Sequence, residues 1–142
     1  MTEGPEFVRI EEGTYHAPTI VNMEVQLMKI FADAPREPAV ITAEGAERRI
    51  LSHGGGMMLV QFSFEAGISA PIHSHPHEQI GYVVSGEIDL IMAGQATTRL
   101  TAGCSYYVAP NISHGIVTHA PSVLIDCFTP QREDFLASSA HS

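Results

Sequence analysis

From residue 48 onward the chain is punctuated by turn signals every ~8–12 residues, and the stretches between them are short and alternate apolar with polar side chains. Met58, Val60, Phe62 and Phe64 alternate with Met57, Leu59, Gln61 and Ser63 before Glu65-Ala66-Gly67 turns the chain. Tyr82-Val83-Val84 stops at Ser85-Gly86-Glu87, and Ile88, Leu90 and Met92 stop at Ala93-Gly94-Gln95. Tyr106-Tyr107-Val108 ends at Ala109-Pro110-Asn111, and the run from Val123 to Phe128 ends at Thr129-Pro130. A period of two sends successive side chains to opposite faces of a sheet, so each stretch has one face for a core and one for solvent. No ten-residue helical periodicity interrupts the series. The pattern predicts an all-β sandwich or small barrel. A length of 142 residues suits one such domain, and 44% apolar against 16% charged residues excludes a disordered chain.

The acid is concentrated at the front. Residues 1–47 carry nine acidic and three basic side chains, out of 16 and seven in the whole chain, whose net charge is −9. Such a balance excludes a nucleic-acid binder, which needs clustered cations. No apolar run reaches the ~18 residues of a membrane span, and the acidic start lacks a secretory apolar segment, so a cytoplasmic protein is expected. Cys104 and Cys127 have neither CxxC nor zinc-finger spacing and read as two free thiols. Pro5, Pro18, Pro35 and Pro38 break the front third, within which residues 21–27 alternate as a strand. We expect residues 1–39 to be an N-terminal extension packing on a sheet edge of its own or a partner subunit, residues 40–136 to be the barrel, and residues 137–142 to be a frayed tail.

Eight histidines outnumber all lysines and arginines together. His73 and His75 have the i, i+2 spacing that puts both imidazoles on one strand face. Pro76 interrupts pairing, and Gln79 has the parity of His75, so a strand resuming after a kink aims it at the same point. His114 follows the turn Ala109–Asn111 and is the candidate third imidazole; Asn111 suits a left-handed turn position. Clustered neutral imidazoles are what a divalent transition metal asks for. Against this stands an adventitious surface loop, the reading given to His77 and His119, or a buried structural pair.

The stretch Gly67-x5-His73-x-His75-x3-Gln79-x6-Gly86 resembles the first cupin motif, and Gly103 through Ala109 and Asn111 to His114 resembles the second. Gln79 stands where the family has Glu, Ala109 where it has Pro, and Asn111 where it has Gly. The resemblance implies a double-stranded β-helix, the cupin jelly-roll barrel, with one divalent metal in its mouth. Its carried-over ligands are His73, His75, Gln79 and His114. Glu78 rivals Gln79 but has the opposite strand parity. An amide ligand cancels none of the metal charge, so the site would be a stronger electrophile than one with a carboxylate. Ligand type leaves Zn²⁺, Ni²⁺, Mn²⁺ and Fe²⁺ open.

Within cupins the wording from Arg48-Arg49-Ile50-Leu51-Ser52-His53, through His73 to Tyr82, to Asp126–Asp134 is similar to the KdgF-type group. That group converts 4,5-unsaturated uronates to an open-chain keto form. The resemblance implies a small-molecule substrate, Asp126 for acid/base work, Arg132 for a substrate carboxylate, and Phe128 lining the pocket. Asp126 is also a lone carboxylate in an apolar run, where burial costs several kcal/mol unless it is paired. A mutual Asp126–Arg132 pair is the alternative. Met57, Met58, Tyr82, Met92, Tyr106 and Tyr107 are further pocket candidates. The expected activity is a metal-dependent ring opening and tautomerisation, a lyase or isomerase step. A polyketide cyclase-like enzyme, an Fe²⁺ dioxygenase using His73, His75 and His114, and a non-catalytic binding module are the alternatives. Cupins of this size are commonly homodimers.

Overall fold

A computed structural model describes residues 28–139. The alternating stretch 21–27, and with it most of the expected N-terminal extension, lies outside the described residues. Ten strands follow in order: β1 (Val40–Ile41), β2 (Glu47–Gly54), β3 (Met57–Phe64), β4 (Ser69–His73), β5 (Glu78–Ser85), β6 (Glu87–Met92), β7 (Thr98–Thr101), β8 (Ser105–Val108), β9 (His114–Thr118) and β10 (Ser122–Thr129). One short helix, α1 (Glu133–Ser139), ends the series. The strands form two antiparallel sheets, ordered β4-β9-β6-β7 and β1-β2-β3-β10-β5-β8. This is the all-β jelly roll that the alternation and the resemblance predict.

The turns read from the sequence are where the chain needs them. Gly67, Gly86 and Gly94 have φ of 79°, 97° and 80°, a region only glycine enters cheaply. At Gly86 a side chain is excluded twice over, because a Cβ would lie 2.2 Å from Ser122 Oγ. Alternation then fills the space between the sheets. Val83, Ile88, Leu90, Leu100, Ile116 and Leu124 bury themselves in one cluster with Phe64 and Ala46. A second, smaller cluster joins Met58, Val60 and Phe128 to Phe135 of α1.

Three departures from the sequence reading have physical causes. β4 contains Pro71, normally a mark against a strand; it is tolerated because β4 is the edge of its sheet. β2, β7 and β9 carry charged residues, threonines or a glycine in place of the apolar alternation that signals a strand, yet each is held by its neighbours' ladders. Residues 137–139, read as frayed, continue α1, whose seven residues are too few to leave a periodic signature. The segment before β1 runs along β2: Lys29 and His53 exchange both backbone hydrogen bonds, at 2.7 and 3.0 Å. Cys104 and Cys127 are both free.

The outward face of β5 carries Ile80, Tyr82 and Val84, while its inward face carries Gln79, Gly81 and Val83. Val83 is 0% and Val84 47% exposed, so the two neighbours differ only in the face they occupy. Truncating Val83 to Ala should cost about 1–3 kcal/mol in chemical denaturation, from lost methyl burial and a residual cavity. The same change at Val84 should stay within about 0.5 kcal/mol. Equal costs at the two positions would contradict the register of β5.

Candidate metal centre and its carboxylate neighbour

His73 is the last residue of β4 and pairs directly with His114, the first residue of β9. Opposed residues on antiparallel strands hold their Cβ atoms ~4.5–5.5 Å apart, which forces the two rings together. Their centroids are 4.5 Å apart. His75 lies beyond the end of β4, so the i, i+2 spacing does not act on one continuous strand. Its position is set by the Asn111 N–H, which donates to the His75 carbonyl at 2.8 Å. Asn111 has φ 64°, the left-handed conformation expected of it. The His75 ring thereby comes within 4.9 Å of His114, centroid to centroid.

One ligand atom from each of His73, His75 and His114 lies within 4.8 Å of the others. The Nδ1 atoms face backbone carbonyls: His73 that of Pro71 at 2.9 Å, His75 that of His77 at 3.1 Å, and His114 that of Ile112 at 2.8 Å. A carbonyl accepts, so the Nδ1 of His73 and of His114 carries the proton and Nε2 keeps its lone pair, the arrangement that orients metal-binding histidines. His75, by contrast, has an oxygen acceptor at both ring nitrogens and, when neutral, donates to one of them. His114 Nε2 is buried without a hydrogen-bond partner among the described residues. Burial holds the His114 pKa below its usual value and takes that of His75 down to about 4. Three clustered imidazoles, one with an orphaned buried nitrogen, are a set that fits a divalent transition metal.

Gln79 adjoins this cluster from β5. Its Oε1 lies 2.9 Å from His75 Nε2, and its Nε2 donates to Asp126 Oδ1 at 3.0 Å. Glu78 faces outward, where the Tyr107 hydroxyl donates to it at 2.5 Å. Tyr106 on β8 and Asp126 on β10 both stand opposite Gly81 of β5. Strands lie ~4.8 Å apart, so two side chains separated by a whole strand meet only if the middle residue leaves the way open. Gly81 does: a Cβ there would lie 2.1 Å from the Tyr106 ring and 2.4 Å from Asp126 Oδ1. Across that gap the Tyr106 hydroxyl donates to Asp126 Oδ1 at 2.8 Å. Asp126 is 3% exposed, and burial raises its pKa to about 6 against the lowering effect of these two hydrogen bonds. Burial and the charge of Asp126 raise the Tyr106 pKa well above the usual value, so the hydroxyl keeps its proton.

His73, His114, Gln79, Tyr106, Asp126 and Phe128 line one cavity of about 280 Å³, at the small end of the range for ligand pockets. Arg132 also lines it but pairs with neither Asp126 nor open space. Its Nε and Nη2 donate to Asp134 at 3.1 and 3.0 Å, and its guanidinium lies over Phe135 and Phe128. Of the further pocket candidates, Tyr106 lines this cavity and the other five lie elsewhere. Tyr82 is 48% exposed on the outer face of β5, and Met92 borders a separate apolar cavity between β6, β7 and β8. Met58 is core, and Met57 and Tyr107 are exposed. His119 pairs with Asp89, His53 contacts Gln131, and His77 stacks near Phe128 while its carbonyl holds His75. Sequence reasoning passed over Gly81, Arg48 and Phe135; a glycine amid the inward positions of β5 was the one available signal.

The histidine geometry gives a direct expectation. The purified, untagged protein should take up one divalent transition ion per chain, raising its melting temperature by mass action on the folded state. His114→Ala should reduce uptake at least tenfold, measured by elemental analysis after dialysis. Unchanged stoichiometry and affinity in that variant would contradict the site.

The Cupin domain family matches residues 60–128. The pectin degradation protein KdgF of Dickeya dadantii (strain 3937) is 36% identical over 95 residues, which are 66% of this chain and 86% of that protein. Among solved structures, an RmlC-like cupin from Shewanella frigidimarina superposes with a TM-score of 0.72 at 34% identity, over 77% of this chain and 98% of that one. KdgF from Halomonas sp. gives a TM-score of 0.69 at 32% identity, over 74% of this chain and 98% of that one. The fold, the three-histidine cluster and these likenesses together establish that the chain belongs to the cupin family, as one of its KdgF-like members.

Proposed function

We propose that the protein is a metal-dependent isomerase that opens the ring of a 4,5-unsaturated uronate and converts it to the open-chain 5-keto acid. The observation that carries this reading is Asp126, a buried carboxylate tied through Gln79 to His75 and facing the same cavity. The likeness to a pectin degradation protein supports the substrate class. His73, His75 and His114, with Gln79 beside them, would hold the metal, which when bound supplies Lewis acidity toward substrate oxygen.

The chain's own groups account for the proton. Both hydrogen bonds to Asp126 fall on Oδ1, which leaves Oδ2 without one among the described residues. Oδ2 would take the proton of the hydroxyl at carbon 1, so that the carbon 1–ring oxygen bond breaks to an aldehyde and leaves its electron pair on an enolate at carbon 5. The same carboxyl would return the proton to carbon 4, leaving a ketone at carbon 5. Atoms balance, and no oxidant enters. Gln79 Nε2 and Tyr106 OH hold the carboxylate in one orientation throughout, and Phe128, 2% exposed, excludes water from beneath it. A cavity of about 280 Å³ suits a monosaccharide better than a polycyclic aromatic.

Unsaturated galacturonate should lose its ultraviolet absorbance on incubation with the metal-loaded protein, and a chelator should stop the loss. Asp126→Asn should lower kcat by about 10²–10⁴, the range for a positioned proton-transfer group. The three imidazoles also suit an Fe²⁺ dioxygenase, so the assay is run without oxygen as well. Undiminished anaerobic turnover is expected; turnover that needs oxygen, or none with any metal, would contradict the reading. Tyr106→Phe removes one of two donors to a buried carboxylate and should cost about 1–3 kcal/mol of stability while lowering kcat less than Asp126→Asn does.

A further inference from the structure

Arg48 projects from β2 into the same cavity and is 8% exposed. Its Nε and Nη2 are buried and have no hydrogen-bond partner among the described residues. Asp134, the carboxylate whose charge acts on Arg48, is engaged elsewhere. Asp134 receives the fork of Arg132, and Asp126 Oδ1 receives Gln79 and Tyr106. The guanidinium carbons of Arg48 and Arg132 lie 4.1 and 4.0 Å from the centroid of one ring, Phe135. Two cations thus share an apolar wall with a single paired carboxylate. Burying a guanidinium without acceptors is strongly unfavourable, and a fold retains such a group where a ligand completes it.

The geometry names the ligand group. Nε and Nη2 form one edge of the guanidinium plane, and two parallel N–H donors on that edge match the two oxygens of a carboxylate. Arg132 shows the same edge filled by Asp134. We propose that Arg48 binds the carboxylate of the substrate, so that it, and not the already engaged Arg132, makes the site select an acid over the corresponding neutral sugar. This rests on the uronate reading above and adds the residue that recognises the acid.

The test separates binding from turnover. D-galacturonate lacks the double bond and cannot react, so its affinity is measured by calorimetry on the metal-loaded protein, beside that of its methyl ester. Wild type should prefer the acid at least tenfold, and Arg48→Met should erase that preference. Because Met replaces an unpaired buried cation with an apolar chain of similar length, its melting temperature should equal or exceed that of wild type. Arg48→Lys, which keeps the charge but not the fork, should retain part of the preference and guards against misfolding of the first variant. No preference for the acid in wild type, equal preference in Arg48→Met, or a marked fall in melting temperature with preference intact would each overturn the assignment. A preserved acid preference without turnover of the unsaturated substrate would overturn the reaction alone.

Discussion

The side-chain amide of Gln79 joins the two halves of the site, and its two ends are chemically unlike for a reason. The oxygen faces the His75 imidazole and the nitrogen donates to Asp126. A glutamate at this position would set a second carboxylate about 3 Å from the first, and like charges that close cannot both ionise in a buried setting. The exchange of Glu for Gln, which looks from the motif like a change of ligand, is therefore coupled to Asp126, 47 residues later in the chain. A neutral amide there would leave the charge of a bound divalent ion uncancelled, and it spares Asp126 a like-charged neighbour. One amide serves both requirements because it carries an acceptor and a donor side by side without taking up or losing a proton.

The barrel exists in a form that permits this contact. Gly81 opens a slot across β5 through which Tyr106 reaches Asp126, and the direct pairing of His73 with His114 sets two imidazoles against each other. Neither contact depends on a loop. The third imidazole does, through Asn111 and its hydrogen bond to the His75 carbonyl. Rigid ladders thus fix most of the donor set, and a single left-handed residue fixes the rest. That division accounts for a site in which the buried His75 and His114 have little freedom to reorganise when a ligand enters.

Much of this was legible before any coordinates. Strand parity placed Gln79 inward and Glu78 outward, and the residue type at position 111 indicated its turn conformation. The same parity rule, applied to Tyr82 three positions after Gln79, puts it on the outer face of β5, away from the cavity. Arg48 was hidden because Glu47-Arg48-Arg49 reads as a polar edge, and only packing reveals that the middle side chain turns inward onto Phe135. Phe135 was hidden in turn by a helix of seven residues. The pairing of Arg132 with Asp134, two residues apart, overrode the longer-range partner that an apolar strand had suggested for Asp126. Local spacing carries the histidine cluster, whereas the charges around the cavity are arranged by tertiary contacts that leave no pattern along the chain.

The central claim is that one carboxyl group, steadied by Gln79 and Tyr106, moves the proton of a ring-opening isomerisation. The most direct measurement is the nuclear magnetic resonance spectrum of the product formed from unsaturated galacturonate in heavy water. The account predicts an open-chain 5-keto acid carrying one deuterium at carbon 4 in a single configuration, because the proton is delivered from one face. Deuterium distributed equally between the two configurations, as in the uncatalysed reaction, would contradict it.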